Sequence, residues 1–284
     1  MLASRTETVP PEVVYHYTSA SGLLGIISTG RLWMTDIEFV NDAEELAYAR
    51  ATVLDDLRAR ADKLAPPEVD GYANADGSRA EVLRNVATEL EQSPQAHPSR
   101  TYHVYAACFC ENGDLLSQWR AYGGEGGYAI GFRTAALLEV PTLLESVHFK
   151  KVTYGLGGAR PYLDAMLEAV APHPTAHPGV QGNFQLMSLV LPTVAAIKHP
   201  TFAEEQEWRL LSTGWGAWEA LSFRPGSVGL VPYVEASLPD DAVAYVIVGP
   251  GQYPKVRISG LAQLLERHEM GGVEVVGSTS PLRL

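Results

Sequence analysis

His16 is the residue of this sequence whose type and setting most suggest chemistry. It lies in the run Tyr15-His16-Tyr17-Thr18, which follows two valines and has the β-branched and aromatic character of a strand. A histidine in this position is either a ligand contact or a core histidine whose ring has found a hydrogen-bond partner. The sequence alone leaves both interpretations open.

Glu205, Glu207 and Arg209 form a second group with chemical potential. They alternate along the chain, so on a strand all three would share one face. A carboxylate fixed there could stabilise positive charge on a substrate. The alternative is a structural glutamate–arginine pair, because ion pairs also occupy sheet faces.

Other polar and aromatic residues also allow two explanations. Trp119 and Tyr122 lie three residues apart on a short predicted helix, which suits a cofactor platform or core packing. Asn41, Asp42 and Glu44 suit a site, but a helix cap explains them equally well.

Several common chemistries are disfavoured. His173 and His177 have the spacing of metal ligands on a helix, but the prolines around them break any helix there. Cys108 and Cys110 lack a second cysteine pair for zinc, and a disulfide between such near neighbours would strain the backbone. The sequence contains no G-x-S-x-G or Walker motif, and no G-x-G-x-x-G follows a strand. We therefore expect no metal and no Rossmann-type site.

The composition narrows the class of protein further. Hydrophobic residues make up 46% of the 284, which is enough for a core without disulfides or metals. The formal charge of −12 argues against a general nucleic-acid-binding surface, although local basic pockets stay possible. The amino terminus lacks a signal-like apolar segment and no run is long enough to span a bilayer. We expect a cytoplasmic protein without membrane association.

Short strands alternate with helices without a regular βαβ repeat, which predicts an α+β fold built on a curved mixed sheet. A strand at 13–17 leads to a helix at 20–28, capped by Thr18 or Ser19 and ended by Gly30, and a strand at 32–35 follows. We expect a single domain, 1–284, with a helical insertion at 42–92. The other predicted strands are 102–110, 128–132, 148–154, 207–212, 230–234, 243–248 and 273–276, and the other predicted helices are 42–63, 78–92, 115–122, 161–171, 183–199 and 259–269.

A joint pattern of short motifs runs through nearly the whole chain. It consists of Tyr15-His16-Tyr17-Thr18, Asn41-Asp42-x-Glu44, Trp119-x-x-Tyr122, Gly127-x-x-Ile130-Gly131-Phe132, Lys198-His199, Glu205-x-Glu207-Trp208-Arg209, Pro232-Tyr233, Gly249-Pro250 and Ser280-Pro281-Leu282-Arg283. This pattern resembles a widespread bacterial family, domain of unknown function 2971. The resemblance implies one module over the whole chain, but no activity.

A more distant resemblance carries chemistry. His16-Tyr17-Thr18 at the end of the first strand, followed by Leu23 and Gly30, is similar to the opening of ADP-ribosyltransferase-like proteins, including the branch that modifies DNA. That resemblance implies NAD bound in the cleft of a split, curved sheet. A histidine on the first strand would hold a ribose, a middle aromatic residue would stack on nicotinamide, and a late glutamate would contact the ribose 2′-hydroxyl.

The resemblance assigns catalytic roles to His16, to Tyr122 or Tyr128, and to Glu207. Cleavage of the nicotinamide–ribose bond builds positive charge on the sugar, which a fixed carboxylate stabilises. The residues expected to bind the cofactor are His16, Tyr17, Thr18, Trp119, Tyr128, Arg209, Arg224 and Arg283. We therefore expect an NAD-dependent ADP-ribosyltransferase-like enzyme, with NAD as substrate and no metal, in the role of a bacterial defence or toxin effector that modifies nucleic acid or protein. The alternative is a non-catalytic nucleotide-sensing or protein-interaction module of the same fold.

Overall fold

A strand, a helix and a second strand open the fold. They are β1 (Val13–Thr18), α1 (Ala20–Thr29) and β2 (Arg31–Asp36). The hydroxyl of Ser19 caps α1 by accepting a hydrogen bond from the Gly22 amide at 3.2 Å. The predicted strand–helix–strand unit is confirmed, with Ser19 as its cap. The computed structural model describes residues 9–40, 43–64, 68–69, 72–73, 75–91, 102–123, 126–141, 144, 146–170, 190–215, 219–226 and 228–281.

The protein has a mixed α+β fold with several helices around one large sheet. The later strands are β3 (Glu68–Val69), β4 (Tyr72–Ala73), β5 (Tyr102–Cys110), β6 (Tyr128–Arg133), β7 (Ser146–Lys151), β8 (Thr153–Tyr154), β9 (Ile197–Lys198), β10 (Glu207–Trp215), β11 (Ser222–Gly226), β12 (Gly229–Ser237), β13 (Val243–Val248) and β14 (Glu274–Gly277). The later helices are α2 (Ala43–Lys63), α3 (Ala75–Glu91), α4 (Leu116–Gln118), α5 (Thr134–Leu138), α6 (Gly155–Val170), α7 (190–194) and α8 (Pro254–Arg267). Short 3₁₀ helices occupy Ile37–Phe39 and Pro200–Glu205, and a π-helix occupies Trp119–Gly123.

The large sheet has ten strands in the order β11–β12–β2–β5–β1–β6–β13–β14, with β10 on the other edge of β5 and β7 beyond it. Its pairs are antiparallel except β13 and β14, which are parallel and joined by α8. Two small sheets, β3–β4 and β8–β9, lie apart from it. The sheet is therefore mixed, as the sequence predicted.

β1 and β2 share one edge of β5, while β10 occupies the whole opposite edge. Tyr15 of β1 pairs with Cys110, and Thr35 of β2 pairs with Ala106. The two strands therefore separate along β5 and continue into two half-sheets, β1–β6–β13–β14 and β2–β12–β11. We call residues 107–109 of β5, where the half-sheets part, the fork.

The two faces of the sheet carry different residues, because directly opposed residues of paired strands point to the same side. One side, here called the glutamate face, carries Tyr15, Tyr17, Cys108, Cys110, Glu207 and Arg209. The other side, here called the histidine face, carries Val14, His16, Phe109, Tyr128 and Trp208. The largest hydrophobic cluster lies on the histidine face, where α1, α5 and α8 add leucines and isoleucines to the strand residues.

A second hydrophobic cluster joins α2, α3, α6 and α7 into a helical layer, with Val53, Leu83, Leu163 and Val194 among its buried residues. Helices were predicted at 42–63 and 78–92, and their described parts are α2 and α3. The layer is larger than the predicted insertion, because α6 and α7 complete its core.

Other differences from the predicted elements have local causes. The helix expected at 161–171 begins earlier, at Gly155, and holds Pro161 within its length. The helix expected at 183–199 is helical over 190–194 among the described residues, and its end is strand β9 instead. β11 was not predicted, because Pro225 reads as a strand breaker although an edge strand tolerates it.

Among the described helices, none combines the length and the apolar character needed to cross a membrane.

Candidate functional site

The carboxyl ends of β1 and β13 lie at the same edge of the sheet, because both strands run antiparallel to β6 between them. Each is followed by a helix on the way to the next strand, α1 after β1 and α8 after β13. Tyr128, the first residue of β6, pairs with Thr18 on one side and with Val248 on the other. Ligands of sheets flanked by helices often bind outside the carboxyl ends of parallel strands. We call this edge the β1–β13 edge.

His16 lies beside the fork, close to this edge. Its Nδ1 lies 2.9 Å from the carbonyl oxygen of Cys108, and its ring lies 5.9 Å from that of Phe109. A carbonyl only accepts, so Nδ1 carries the proton and donates it. Burial lowers the pKa of His16, although the hydrogen bond to Cys108 partly opposes this, so the ring is neutral at neutral pH.

The other ring nitrogen of His16 is then an acceptor. Within the described residues, Cys108 is the sole hydrogen-bond partner of the ring, and the residue keeps partial exposure to solvent. Nε2 can therefore accept a hydrogen bond from a hydroxyl of a bound molecule. The backbone of β5 holds the ring in the tautomer that this contact requires.

Tyr17 and Trp119 pack on the glutamate face and form part of the core. The hydroxyl of Tyr17 donates to the carbonyl of Asn112 at 2.9 Å and accepts from the amide of Leu115 at 2.8 Å. Its ring meets Trp119 edge-on at 4.7 Å, and Trp119 is 1% exposed. Both side chains were candidates for cofactor binding, but they shape the loop beneath the edge instead of presenting a surface.

Asp114 fastens this loop to the segment after β14. Its carboxylate accepts hydrogen bonds from the indole N–H of Trp119, from the hydroxyl of Ser278, and from both the amide and the hydroxyl of Thr279. Burial opposes ionisation, but these donors hold the pKa of Asp114 below its usual range. The sequence did not single out Asp114.

Tyr128 shares the histidine face with His16, two residue pairs further along β1 and β6. The guanidinium of Arg257 lies 5.2 Å from the centroid of its ring. Arg257 also donates to the carbonyl oxygens of Gly249 and Gly127 at 2.7 and 2.8 Å. Arg257 thus joins the loop before α8 to the start of β6 and fixes the Tyr128 ring. The sequence did not predict this role, because nothing in the local sequence marks Arg257.

Glu207 belongs to a buried ion-pair network on the opposite face. Its carboxylate accepts from Arg209 at 2.7 and 3.1 Å and from Lys198 at 3.0 Å, and Lys198 also donates to Glu205 at 2.7 Å. A further Arg209 N–H donates to the carbonyl of Ala195. Glu207 and Arg209 are 2% and 3% exposed. The network joins β10 to β9 and to the turn directly after α7, and so joins the sheet to the helical layer.

The charge of Glu207 is balanced within this network. Burial would raise the pKa of Glu207, but Arg209 and Lys198 outweigh it and hold the pKa well below its usual range. Burial and the neighbouring Glu207 charge raise the pKa of the Cys108 thiol, which keeps it protonated and a weak nucleophile. The Glu207 carboxylate therefore stabilises Arg209 and Lys198, and its burial keeps a substrate from reaching it.

The structure does not bring His16 and Glu207 together. Glu207 pairs with Cys110, which in turn pairs with Tyr15, so these three residues share the glutamate face. His16 follows Tyr15 in β1 and points to the histidine face, where its ring meets Phe109. The two residues assigned to one catalytic centre therefore point to opposite sides of the sheet.

The remaining candidates are spread over the molecule. Arg209 serves the Glu207 network, and Arg224 lies on β11, where it donates to the hydroxyl of Thr35 at 3.2 Å. Tyr122 lies in the π-helix with 37% of its surface exposed. Arg283 lies outside the described residues, as do Asn41, Asp42, His173 and His177. Within the described ranges, no cluster of three or more His, Cys, Asp or Glu is placed to hold a metal ion.

Comparison with known proteins finds a family model that matches part of the chain. Residues 118–210 match the family model described as protein of unknown function (DUF2971). Over this segment the chain is similar to DUF2971. No curated protein and no solved structure matches the chain.

The DUF2971 segment runs from the end of α4 into β10. It contains the π-helix and β6 beside the β1–β13 edge, and also the Lys198, Glu205, Glu207 and Arg209 of the ion-pair network. His16 precedes it. The resemblance to DUF2971 is therefore confirmed, over a shorter range than the sequence motifs suggested.

Proposed function

We propose that this protein binds a nucleotide of the NAD type at the β1–β13 edge, in the manner of a non-catalytic member of the ADP-ribosyltransferase-like fold. The observation that carries the proposal is His16. Its Nδ1 is committed to the carbonyl of Cys108, its pKa is lowered, and its Nε2 faces no partner among the described residues. A ribose hydroxyl is a donor that fits this acceptor.

The N-termini of the two helices at the β1–β13 edge supply positive partial charge for a phosphate. α1 begins after Ser19 and α8 begins after Tyr253, and neither has an acidic residue in its first turn. The backbone N–H groups of a helix N-terminus attract negative charge. A dinucleotide held through a ribose at His16 therefore has positive partial charge nearby for its pyrophosphate.

The fork is the feature that supports the fold resemblance. Two strands leave the same edge of β5 at different points, which splits the sheet into two half-sheets. The resemblance to ADP-ribosyltransferase-like proteins implies a nucleotide cleft where such a sheet splits, and His16 lies there. This step is an analogy of folds and adds to the argument from His16 without replacing it.

ADP-ribosyl transfer is the second candidate, and the exposed Tyr122 favours it. A phenol ring that is 37% exposed on a π-helix can serve as a surface for nicotinamide, and π-helices are frequent at functional sites. Glu207 does not suit the catalytic role, because two cations already neutralise it on the far face. A role as a defence or toxin effector requires turnover of NAD and depends on this second candidate.

Thermal unfolding with NAD, ADP-ribose and AMP tests binding, and nicotinamide release tests turnover. We expect NAD and ADP-ribose to raise the unfolding temperature of the wild type, and His16→Ala to remove the shift. His148→Ala is the matched control, because His148 is also a partly buried sheet histidine with a lowered pKa. An equal loss of the shift in both variants, or no shift with any nucleotide, would refute the proposal.

Nicotinamide release separates the two candidates. No release from wild-type protein that binds NAD supports the binding module. Release that disappears in Tyr122→Ala, while NAD still shifts the unfolding temperature, supports the transferase.

A further inference from the structure

Trp33 is a large aromatic residue held in place on an open surface. It is 45% exposed on β2, and its indole N–H donates to Glu235 of β12 at 3.3 Å. Its ring lies 4.5 Å from that of Tyr233, with the planes 32° apart. A single exposed aromatic residue needs no explanation, but one that is fixed by a hydrogen bond and a ring contact presents a rigid face.

Two arginines flank Trp33 on the same face of the half-sheet. Arg31 precedes it by two residues and pairs with the same Glu235 at 2.5 Å. Arg224 of β11 donates to the hydroxyl of Thr35, two residues after Trp33. Alternate residues of a strand are about 7 Å apart. The Arg31 guanidinium reaches Glu235 directly opposite Trp33, and the Arg224 guanidinium reaches Thr35 further along the same strand.

The local charge of this surface is opposite to that of the chain. The register of β11, β12 and β2 places Arg31, Arg224 and Glu235 as the charged residues of these three strands on this face. Two cations and one carboxylate give a positive balance in a protein whose formal charge is −12. Exposed aromatic residues between basic groups are the elements with which proteins hold unpaired bases and their phosphates.

We infer that this surface binds single-stranded nucleic acid, with one unpaired base stacked on Trp33 and the phosphates on either side of that nucleotide facing Arg31 and Arg224. A free nucleotide fits it less well, because a base between two flanking phosphates occurs within a strand. A duplex does not fit, because its bases are stacked on one another and closed to the indole. The inference does not depend on NAD binding at His16. His16 belongs to the other half-sheet, and it points to the face of the sheet opposite to the one that carries Trp33.

Fluorescence anisotropy with a labelled single-stranded oligothymidine tests the inference. We expect Trp33→Ala to weaken binding by about tenfold, within the range found for one base stacked on an aromatic residue. Trp33→Phe keeps an aromatic face and should retain most of the affinity, which separates stacking from any loss of stability. Phe223→Ala is the matched control, because Phe223 is 57% exposed on the other face of the same half-sheet.

Salt titration tests the phosphate contacts. Arg31→Ala and Arg224→Ala should each reduce the slope of log K against log salt by about 0.7, the value for one phosphate of a single strand. Arg58→Ala, at an exposed ion pair of α2, should leave the slope unchanged. No binding by the wild type, equal binding of a duplex, or equal losses in Trp33→Ala and Phe223→Ala would overturn the inference.

Discussion

His16 and Glu207 differ in what each has left to bind. The ring of His16 uses one nitrogen for the backbone of β5 and keeps the other as an acceptor in a partly exposed position. The carboxylate oxygens of Glu207 accept hydrogen bonds from Lys198 and Arg209, and the residue is almost fully buried. At the level of single residues, the proposed nucleotide binding therefore rests on His16, whereas Glu207 is expected to contribute to stability.

Glu207→Gln should destabilise the protein by about 3–5 kcal/mol, because it removes the buried carboxylate charge that Arg209 and Lys198 share. Urea unfolding measures the change in the free energy of unfolding. Glu91→Gln is the control. The side chain of Glu91 is more than half exposed, so its ion pair with Arg58 should contribute less than about 1 kcal/mol. A stable Glu207→Gln variant that loses NAD turnover would restore Glu207 as a catalytic residue.

The lowered pKa of His16 gives stability a pH dependence of known sign. The unfolded ring takes up a proton near its ordinary pKa of about 6.5, whereas the folded ring does so at a lower pH. The contribution is therefore complete above about pH 6.5 and is lost as the pH falls toward the folded pKa. His148 contributes in the same direction.

Urea midpoints at pH 7.5 and pH 5.5 isolate the share of His16. We expect His16→Gln to lose less stability than the wild type between these two pH values. An equal loss in both proteins would mean that the folded ring takes up a proton as easily as the unfolded one.

At the level of elements, the sequence predicted what local signals determine. The cap at Ser19 and the glycine at position 30 bounded α1, and β13 was predicted over the residues that it occupies. The shared face of Glu207 and Arg209 also followed from their spacing, and their ion pair confirms it.

The separation of His16 from Glu207 could not be predicted in this way. It depends on the register of β1, β5 and β10, three strands that are far apart in the sequence. In that register, Tyr15 and Glu207 both align with Cys110. A shift of one residue in either pairing would reverse the faces, and no local signal fixes that register. Arg257 was missed for the same reason, since its partners Gly127 and Gly249 are set by the packing of α8.

Arg257→Ala should loosen the loop before α8 together with the start of β6. It removes two hydrogen bonds from a charged donor, which we expect to lower the free energy of unfolding by about 2 kcal/mol. Hydrogen exchange should increase at 249–253 and 126–128, whereas Lys255→Ala, an exposed neighbour in α8, should leave both segments unchanged. Unchanged exchange in Arg257→Ala would show that this side chain does not hold the edge.

At the level of the whole molecule, the DUF2971 segment is a part of one sheet and not a unit of its own. Residues 118–210 contain β6, β7 and the start of β10, but β6 pairs with β1 and β13, and β10 pairs with β5. All three of those partner strands lie outside the segment. Most of its strand edges would therefore be unpaired if it were separated from the rest.

The isolated segment 118–210 should accordingly lack a cooperative unfolding transition. Circular dichroism during heating would show a gradual change, whereas the full chain should show a single sharp one. A sharp transition in the isolated segment would mean that DUF2971 folds without the strands that complete its sheet here.

Nucleotide binding at His16 is tested most directly by isothermal titration calorimetry of NAD into the wild type, His16→Ala and His148→Ala. We expect His16→Ala to bind NAD roughly tenfold more weakly or worse, because a buried ribose hydroxyl left without its acceptor costs about 1–3 kcal/mol. His148→Ala should bind as the wild type does. NAD affinity that is unchanged in His16→Ala, with all three proteins folded, would contradict the placement of the nucleotide at the end of β1.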